Sequence, residues 1–241
     1  MAEALTARQT QILKTLIDEY IETAEPVGSE ALDKKFNLGV SPATIRNEMV
    51  ALTYGGYLRQ PHTSSGRVPT PVAMKFYVGQ LMEEKQMSLS DEVKTKEEVW
   101  DARRDVNELI REATHALAER TNALAIGALD SGRIWHAGYA NVFANPEFAD
   151  MAACTQLFSF LEEVNSLHRL FFETITGVTP IEVLFGEELG WPGRMPIGLA
   201  ATRFKIKGQE GALGIIGPER LRYQTIIPTL RYFRDLLEEI A

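Results

Sequence analysis

Apolar residues recur at spacings of three and four near the start of the chain. The repeat predicts an amphipathic helix that begins after Thr6, a residue suited to the N-cap position, and that buries one face. The apolar positions are Ile12, Leu13, Leu16, Ile17, Tyr20 and Ile21. Pro26 and Gly28 end this helix, and a second, shorter helix is expected from Ser29 to about Phe36.

A third helix and a hairpin follow. Ser41 is an N-cap candidate and Pro42 occupies the first helical position, where its missing N–H costs nothing. One side of this helix is apolar, through Ile45, Met49 and Leu52. Two short strand patterns at 57–60 and 67–68 then enclose the turn-forming residues 61–66, which predicts a β-hairpin.

The rest of the chain alternates helix and strand patterns. Helices are predicted at about 96–121, 146–151 and 154–174 and near the end of the sequence, and strands at 123–126, 134–139, 181–185, 197–205 and 212–216. This order predicts an α+β domain with an antiparallel sheet. A polar segment precedes it. We therefore expect a first domain at 1–84, a linker at 85–95 and a second domain at 96–241.

Charge is distributed unevenly along the sequence. The 241 residues carry a formal net charge of -8, which argues against a polycation that coats nucleic acid indiscriminately. Residues 1–33 hold 2 basic and 7 acidic groups, residues 34–82 hold 6 and 1, and residues 83–241 hold 17 and 25. A basic segment between acidic ones is typical of a small phosphate-contacting surface, although a solvated helix face would give the same count.

Three helices with a tight turn before the third, followed by a hairpin, indicate a winged helix-turn-helix. Arginine and asparagine on its third helix can hydrogen-bond guanine and adenine edges in the major groove, and hydroxyl groups at the helix N-terminus can anchor phosphates. The helix candidates are Ser41, Thr44, Arg46 and Asn47. The hairpin candidates are Gln60, His62, Thr63, Ser64, Ser65, Gly66 and Arg67. The glycine allows close backbone approach to DNA, and the arginine suits a narrow minor groove. The alternative is that these residues form only the solvated face of a core helix and a connecting hairpin.

Several stretches are similar to one known family. LTARQTQILKTLIDEYIETAEPVGSEAL, GVSPATIRNEM and QPHTSSGRVPT resemble the winged helix of the HrcA family, heat-inducible repressors that bind the CIRCE inverted repeat upstream of chaperone genes. IWHAGYANVFANPEFAD and GALGIIGPERLRYQTIIPTLRYFRDLL resemble, more weakly, the GAF-like domain of the same family. The resemblance implies a homodimer on double-stranded DNA, chaperone operons as targets, and a GroEL-type chaperonin as a partner.

The chain is shorter than the usual members of that family. It passes from Ala128 almost directly through Asp130-Ser131-Gly132 to Ile134, and we expect it to lack the inserted domain that the family uses for dimerisation. The resemblance therefore leaves open how two protomers would be held together. It also leaves open a second function, in which the GAF-like domain senses a small-molecule ligand.

Other chemistry is not indicated by the sequence. The single Cys154 excludes an internal disulfide, and one thiol with four scattered histidines offers no zinc-binding spacing, so we predict no metal and no cofactor. No nucleophile–base pair points to an enzyme. No uncharged run approaches the ~20 apolar residues that cross a bilayer, and the first residues lack a targeting pattern, so a cytoplasmic protein without membrane association is expected.

Overall fold

The computed structural model describes residues 5–189 and 196–240, and the chain divides into two units, Met1–Glu83 and Glu84–Ala241. The first unit contains α1 (Ala7–Thr23), α2 (Ser29–Phe36), α3 (Pro42–Tyr54), β1 (Leu58–Arg59), β2 (Val68–Pro69) and α4 (Pro71–Phe76), which continues as a π-helical turn, Tyr77–Leu81. This order of helices and hairpin confirms the predicted winged helix.

Side chains at the helix ends explain where the helices of the first unit begin and stop. The Thr6 hydroxyl accepts a hydrogen bond from the Gln9 N–H at 3.2 Å, and the Gln9 side chain accepts one from the Thr6 N–H at 3.0 Å. Asn37 ends α2 in the left-handed conformation, with φ of 43°. Ser41 caps α3 and Pro42 lies in its first turn, as the sequence predicted.

A third backbone segment joins the hairpin of the first unit. The Val27 N–H donates to the Arg67 carbonyl at 2.8 Å, and the Arg67 N–H donates to the Val27 carbonyl at 2.9 Å. The connection between α1 and α2 therefore pairs with β2 just before its first residue. The hairpin is thereby fixed to the helices by backbone hydrogen bonds as well as by side-chain packing.

The second unit begins at Glu84, and its first helix begins inside the predicted linker of 85–95. Its elements are α5 (Leu89–Trp100), a 3₁₀ turn (Asp101–Arg104), α6 (Val106–Thr121), β3 (Leu124–Leu129), β4 (Ile134–Ala137), α7 (Tyr139–Val142), a 3₁₀ turn (Pro146–Phe148), α8 (Met151–Glu162), α9 (Val164–Arg169) with a π-helical turn (Leu170–Thr174), β5 (Glu182–Phe185), a 3₁₀ turn (Gly186–Leu189), β6 (Ile197–Ile206), β7 (Gln209–Pro218) and α10 (Tyr223–Ile240). The prediction of one helix at 96–121 is wrong, because α5 and α6 are separate. The helix predicted at 154–174 is likewise divided into α8 and α9.

The strands of the second unit form one antiparallel sheet in the order β4-β3-β7-β6-β5. This confirms the α+β class and the antiparallel sheet that the sequence predicts for the second domain. A tight turn joins β3 to β4, in which the Leu129 N–H donates to the Arg133 carbonyl at 2.9 Å and Gly132 has a φ of 88°. No domain is inserted between these two strands.

Helices cover both faces of this sheet. Ile126, Leu199 and Ile216 point toward a core that contains Leu157 of α8 and Phe171 after α9. Helices α6 and α10 contact the sheet through β3, β4, β6 and β7. On β7, a Cβ atom at Gly214 would lie 2.7 Å from the Phe171 ring, so glycine at this position makes room for a core aromatic side chain.

His136 gives the second unit a pH-dependent stability. Burial lowers the pKa of the His136 imidazole, and its buried Nε2 has no hydrogen-bond partner within the described part of the chain. Unfolding restores an ordinary pKa of about 6.5, so below that pH the unfolded chain binds a proton more readily and stability decreases. In thermal melts between neutral and mildly acidic pH, His136→Phe should flatten this dependence. The control is His115→Phe at an exposed histidine, which should leave it unchanged.

Candidate nucleic-acid interface

The outer face of α3 carries two of the predicted base-reading side chains. Arg46 and Asn47 are both exposed, and within the described residues neither side chain has a hydrogen-bond partner. The buried side of the helix is formed by Ile45, Met49 and Leu52, as predicted. The neighbouring Glu48 carboxylate lies 3.4 Å from the Arg8 guanidinium, and this cation offsets its repulsion of phosphates. The helix therefore presents free donors and acceptors outward.

The hydroxyl groups at the start of α3 are already used within the helix. Ser41 Oγ accepts from the Thr44 N–H at 3.2 Å and lies 3.0 Å from Thr44 Oγ1. Ser41 is exposed and Thr44 is half-buried. Both residues occupy the first turn, where a phosphate would meet free backbone N–H groups. Their role as phosphate anchors stays a prediction.

The hairpin, which we call the wing (residues 57–69), has a tip held by its own hydrogen bonds. The Gln60 amide donates to the Thr63 carbonyl at 2.9 Å and to the Ser65 carbonyl at 3.0 Å. Ser65 Oγ accepts from the His62 N–H at 3.0 Å and donates to the His62 carbonyl at 2.7 Å. Gln60 and Ser65 thus shape the tip, while His62, Thr63 and Ser64 are exposed on it.

Gly66 and Arg67 lie at the base of the wing rather than at its tip. A Cβ atom at Gly66 would lie 2.4 Å from both the carbonyl carbon and the oxygen of Val27, and 2.7 Å from the carbonyl carbon of Pro26. The close approach that glycine permits here is therefore to the α1–α2 connection. The Arg67 side chain is half-buried, and its buried Nε has no hydrogen-bond partner in the described ranges.

Two exposed residues near these side chains were not among the sequence candidates. Arg59 faces outward from β1, opposite the buried side of Leu58, and alternation along the strand could have indicated it. Tyr54 is 89% exposed and follows Asn47 by two helical turns on α3, so helical spacing could have indicated it. Both side chains extend the polar surface that α3 and the wing form.

Basic side chains of the first unit differ in whether an acidic partner neutralises them. Lys14 pairs with Asp18, and Lys35 pairs with Glu19, so these lysines compensate the acidic α1. Arg46 and Arg59 form no ion pair within the described residues. The positive charge that remains available therefore lies on α3, on the wing and at the exposed Lys34 of α2.

The second unit has fewer features than the first that could recognise a ligand. No group of three or more His, Cys, Asp or Glu side chains in the described ranges could hold a metal ion. A polar surface recess of about 470 Å³ is lined by His115, Glu119, Asn122 and Asn141 together with Ala118, Ala137 and Gly138. Small-molecule sensing by this unit stays a prediction, which a saturable thermal shift with a ligand pool would test. Over the described residues, no helix combines the length and apolar character needed to cross a membrane.

Comparison with known proteins identifies the family. Residues 4–78 match the model "Winged helix-turn-helix transcription repressor, HrcA DNA-binding", and residues 74–227 match "HrcA protein C terminal domain". The chain belongs to the HrcA family. A solved structure described as a hypothetical protein shares the fold of this HrcA-family chain, with a TM-score of 0.75, 18% identity and 98% of both chains covered.

Two relatives named "Heat-inducible transcription repressor HrcA" show how the length of this chain compares with theirs. The protein of Desulforamulus reducens is 43% identical over 126 residues, which are 52% of this chain and 36% of that protein. The match thus spans about a third of that relative. The protein of Carboxydothermus hydrogenoformans is 25% identical over 334 positions, covering 97% of both chains. Because 334 positions exceed the 241 residues of this HrcA-family chain, the relative has residues that the chain lacks.

Proposed function

We propose that this HrcA-family chain represses transcription of chaperone genes by binding an inverted-repeat operator as a dimer. In this proposal Arg46 and Asn47 hydrogen-bond base edges in the major groove, because their side chains are the types that pair with guanine and adenine. The exposed wing residues His62, Thr63 and Ser64 contact the sugar-phosphate backbone or the minor groove.

The observation that carries the proposal is the outer face of α3. Arg46 and Asn47 point away from the core of the unit, and no described residue occupies their hydrogen-bonding atoms. Further positive charge accompanies them on the wing, at Arg59 and Arg67. An acidic protein with such a local surface disfavours indiscriminate binding and leaves affinity to a small contact area. The family names support repression and heat as the signal.

The test is a gel-shift experiment on chaperone promoters that contain an inverted repeat. Native protein should bind the complete repeat, and mutation of either half-site should weaken binding by roughly 1–3 kcal/mol per altered base pair. Affinity should fall steeply with salt because phosphate contacts release counterions. Equal binding to the repeat and to scrambled DNA of the same length would contradict a sequence-specific repressor.

Dimerisation follows in the proposal from the symmetry of the operator. An inverted repeat presents two equivalent half-sites, and linking two reading units multiplies a weak single-site affinity. A GroEL-type chaperonin is proposed as the partner that keeps the repressor active, on the strength of the family resemblance. Addition of chaperonin during refolding should then raise the fraction of protein that binds the operator.

Arg59→Ala should weaken binding to every DNA sequence to a similar extent. The Arg59 side chain is exposed and can neutralise one phosphate, so its removal should reduce the slope of log affinity against log salt by about one. Titrations at several salt concentrations with operator and random DNA measure both effects. A loss confined to the operator would instead assign Arg59 to a base edge.

A further inference from the structure

Arg8 of α1 lies beside α3, although the sequence places it in an acidic segment. It is one of two basic residues among the first 33 positions. Its Nη1 atom lies 3.4 Å from Oε1 of Glu48, which is 40 positions further along the chain and directly follows Asn47 on α3. In the folded unit Arg8 therefore belongs to the surface around α3 rather than to the acidic part of α1.

The guanidinium is the outer member of this ion pair. The Arg8 side chain is 54% exposed and the Glu48 side chain 20%, so an anion that approaches from this side meets the positive group first. Their separation of 3.4 Å is longer than the ~2.7–2.9 Å of a strong charge-assisted hydrogen bond, so the guanidinium can turn toward a second acceptor at small cost. Within the described residues, the Nε–H and Nη2–H groups of Arg8 have no acceptor.

The position of Arg8 at a flank of α3 favours a phosphate over a base edge as its ligand. An α-helix with its side chains is about 10–12 Å across and the major groove is about 12 Å wide, so a helix in the groove turns its flanks toward the two bordering strands. Successive residues of a helix are about 100° apart, so Glu48 lies on a flank when Asn47 faces the bases. Arg8 meets Glu48 on that flank. Its planar set of N–H donors matches the oxygens of a phosphate.

We propose that Arg8 binds a phosphate of the DNA strand that borders α3 in the major groove, and that Glu48 is a positioning residue that holds the guanidinium on this flank. The inference rests on the proposed function, because it requires α3 to enter the groove. It extends the DNA-binding surface to the first helix, outside α3 and the wing. A phosphate contact reads no base, so Arg8 strengthens binding to every DNA sequence and fixes the orientation of α3.

The first experiment compares Arg8→Ala with Lys14→Ala in titrations of operator and random DNA at several salt concentrations. Arg8→Ala should weaken binding to both DNAs roughly fivefold near physiological salt, and it should reduce the slope of log affinity against log salt by about one. Lys14, the matched control, is the other basic residue of this segment and pairs at 3.3 Å with Asp18 on its own helix. Lys14→Ala should leave affinity and slope unchanged. Thermal melts check that both variants retain the fold.

The second experiment distinguishes a phosphate contact from simple screening of the Glu48 charge. Glu48→Gln keeps an oxygen that can accept from Arg8 and removes the negative charge, so this variant should bind DNA at least as tightly as the native protein. If Arg8 binds a phosphate, Arg8→Ala combined with Glu48→Gln should stay roughly fivefold weaker than Glu48→Gln alone and should keep the lower salt slope. If Arg8 only screens Glu48, the double variant should bind like Glu48→Gln alone, which would overturn the inference.

The positioning role of Glu48 is tested by comparing Glu48→Gln with Glu48→Ala. Both variants remove the negative charge, but only glutamine keeps an acceptor for the Arg8 guanidinium. Glu48→Ala should therefore bind DNA more weakly than Glu48→Gln, and this difference should disappear when both are combined with Arg8→Ala. Equal binding by the two single variants would show that Glu48 does not position Arg8.

Operator duplexes that carry one neutral methylphosphonate at a time identify the phosphate. Each replacement removes the charge at a single position, and the native protein should lose affinity at several of them. Arg8→Ala should no longer respond at one of these positions in each half-site, and it should respond like the native protein at the others. The native pattern in Arg8→Ala would contradict the contact.

Failure of this inference can be distinguished from failure of the proposed function. Native protein that binds operator and random DNA equally would contradict the proposed function. Native protein that prefers the operator, together with equal binding by Arg8→Ala and Lys14→Ala, would overturn this inference alone.

Discussion

Arg46→Ala should weaken operator binding by about 1–3 kcal/mol, or roughly 5- to 150-fold in affinity. The guanidinium is exposed on the outer face of α3 and contacts no described acidic group, so its removal should leave the fold intact. Arg46→Lys distinguishes a contact that depends on positive charge alone from one that depends on the shape of the guanidinium group. Lysine keeps the charge but lacks the planar fork that bonds two acceptors of guanine, so it should recover little of the lost specificity.

Arg104→Ala serves as the control for a general loss of positive charge. Arg104 is an exposed arginine of the second unit, outside α3 and the wing, and its removal should leave operator affinity within error of the native value. Gel shifts with operator and random DNA provide the comparison. Native-like affinity of both Arg46→Ala and Arg46→Lys would show that another face of the unit reads the DNA.

Gly66→Ala should destabilise the first unit by about 1–3 kcal/mol and also weaken DNA binding. The added methyl group would lie 2.4 Å from the backbone of Val27, which cannot move aside as a flexible side chain could. The wing must then shift away from the α1–α2 connection. This shift breaks the two backbone hydrogen bonds between Val27 and Arg67, each worth about 1 kcal/mol, and displaces the tip.

Gly79→Ala is the matched control for Gly66→Ala, because it makes the same substitution elsewhere in the same unit. Apart from its chain neighbours and its own helix backbone, no atom lies within 4 Å of a Cβ atom at Gly79, which sits in the π-helical turn after α4. Stability should therefore be unchanged or slightly higher. Calorimetric melts of the full chain and operator titrations measure both effects. If Gly66→Ala melts and binds like the native protein, the packing of the wing on Val27 is not required for its position.

Much of the first unit could be predicted from its sequence because its signals are local. Ser41 and Pro42 mark the start of α3, and a full apolar face identifies α1 without knowledge of the fold. The pairing of Val27 with Arg67 could not be predicted, because a single residue pair produces no alternating pattern. The first part of α5, residues 89–95, was missed for a related reason. Only Thr95 and Val99 are buried on α5, and its polar sequence is typical of a linker.

The candidate site was predicted by residue type, whereas the arrangement of those residues required the structure. Arg46 and Asn47 lie on the outer face of α3 as helical spacing indicates. Spacing could not distinguish exposed wing residues from those that hold the wing together. Gln60 and Ser65 use their polar groups for hydrogen bonds within the wing. Position 66 is a glycine because the backbone there passes close to the backbone of Val27.

The internal bonding of the wing has a thermodynamic consequence. Because the Gln60 amide already fixes the carbonyl groups of Thr63 and Ser65, the tip is preorganised before it meets DNA. Binding then loses little conformational entropy in this loop, where ordering a backbone residue otherwise costs about 1–2 kcal/mol. Gln60→Ala would move that cost into the binding step, which calorimetry would register as a more unfavourable entropy of association.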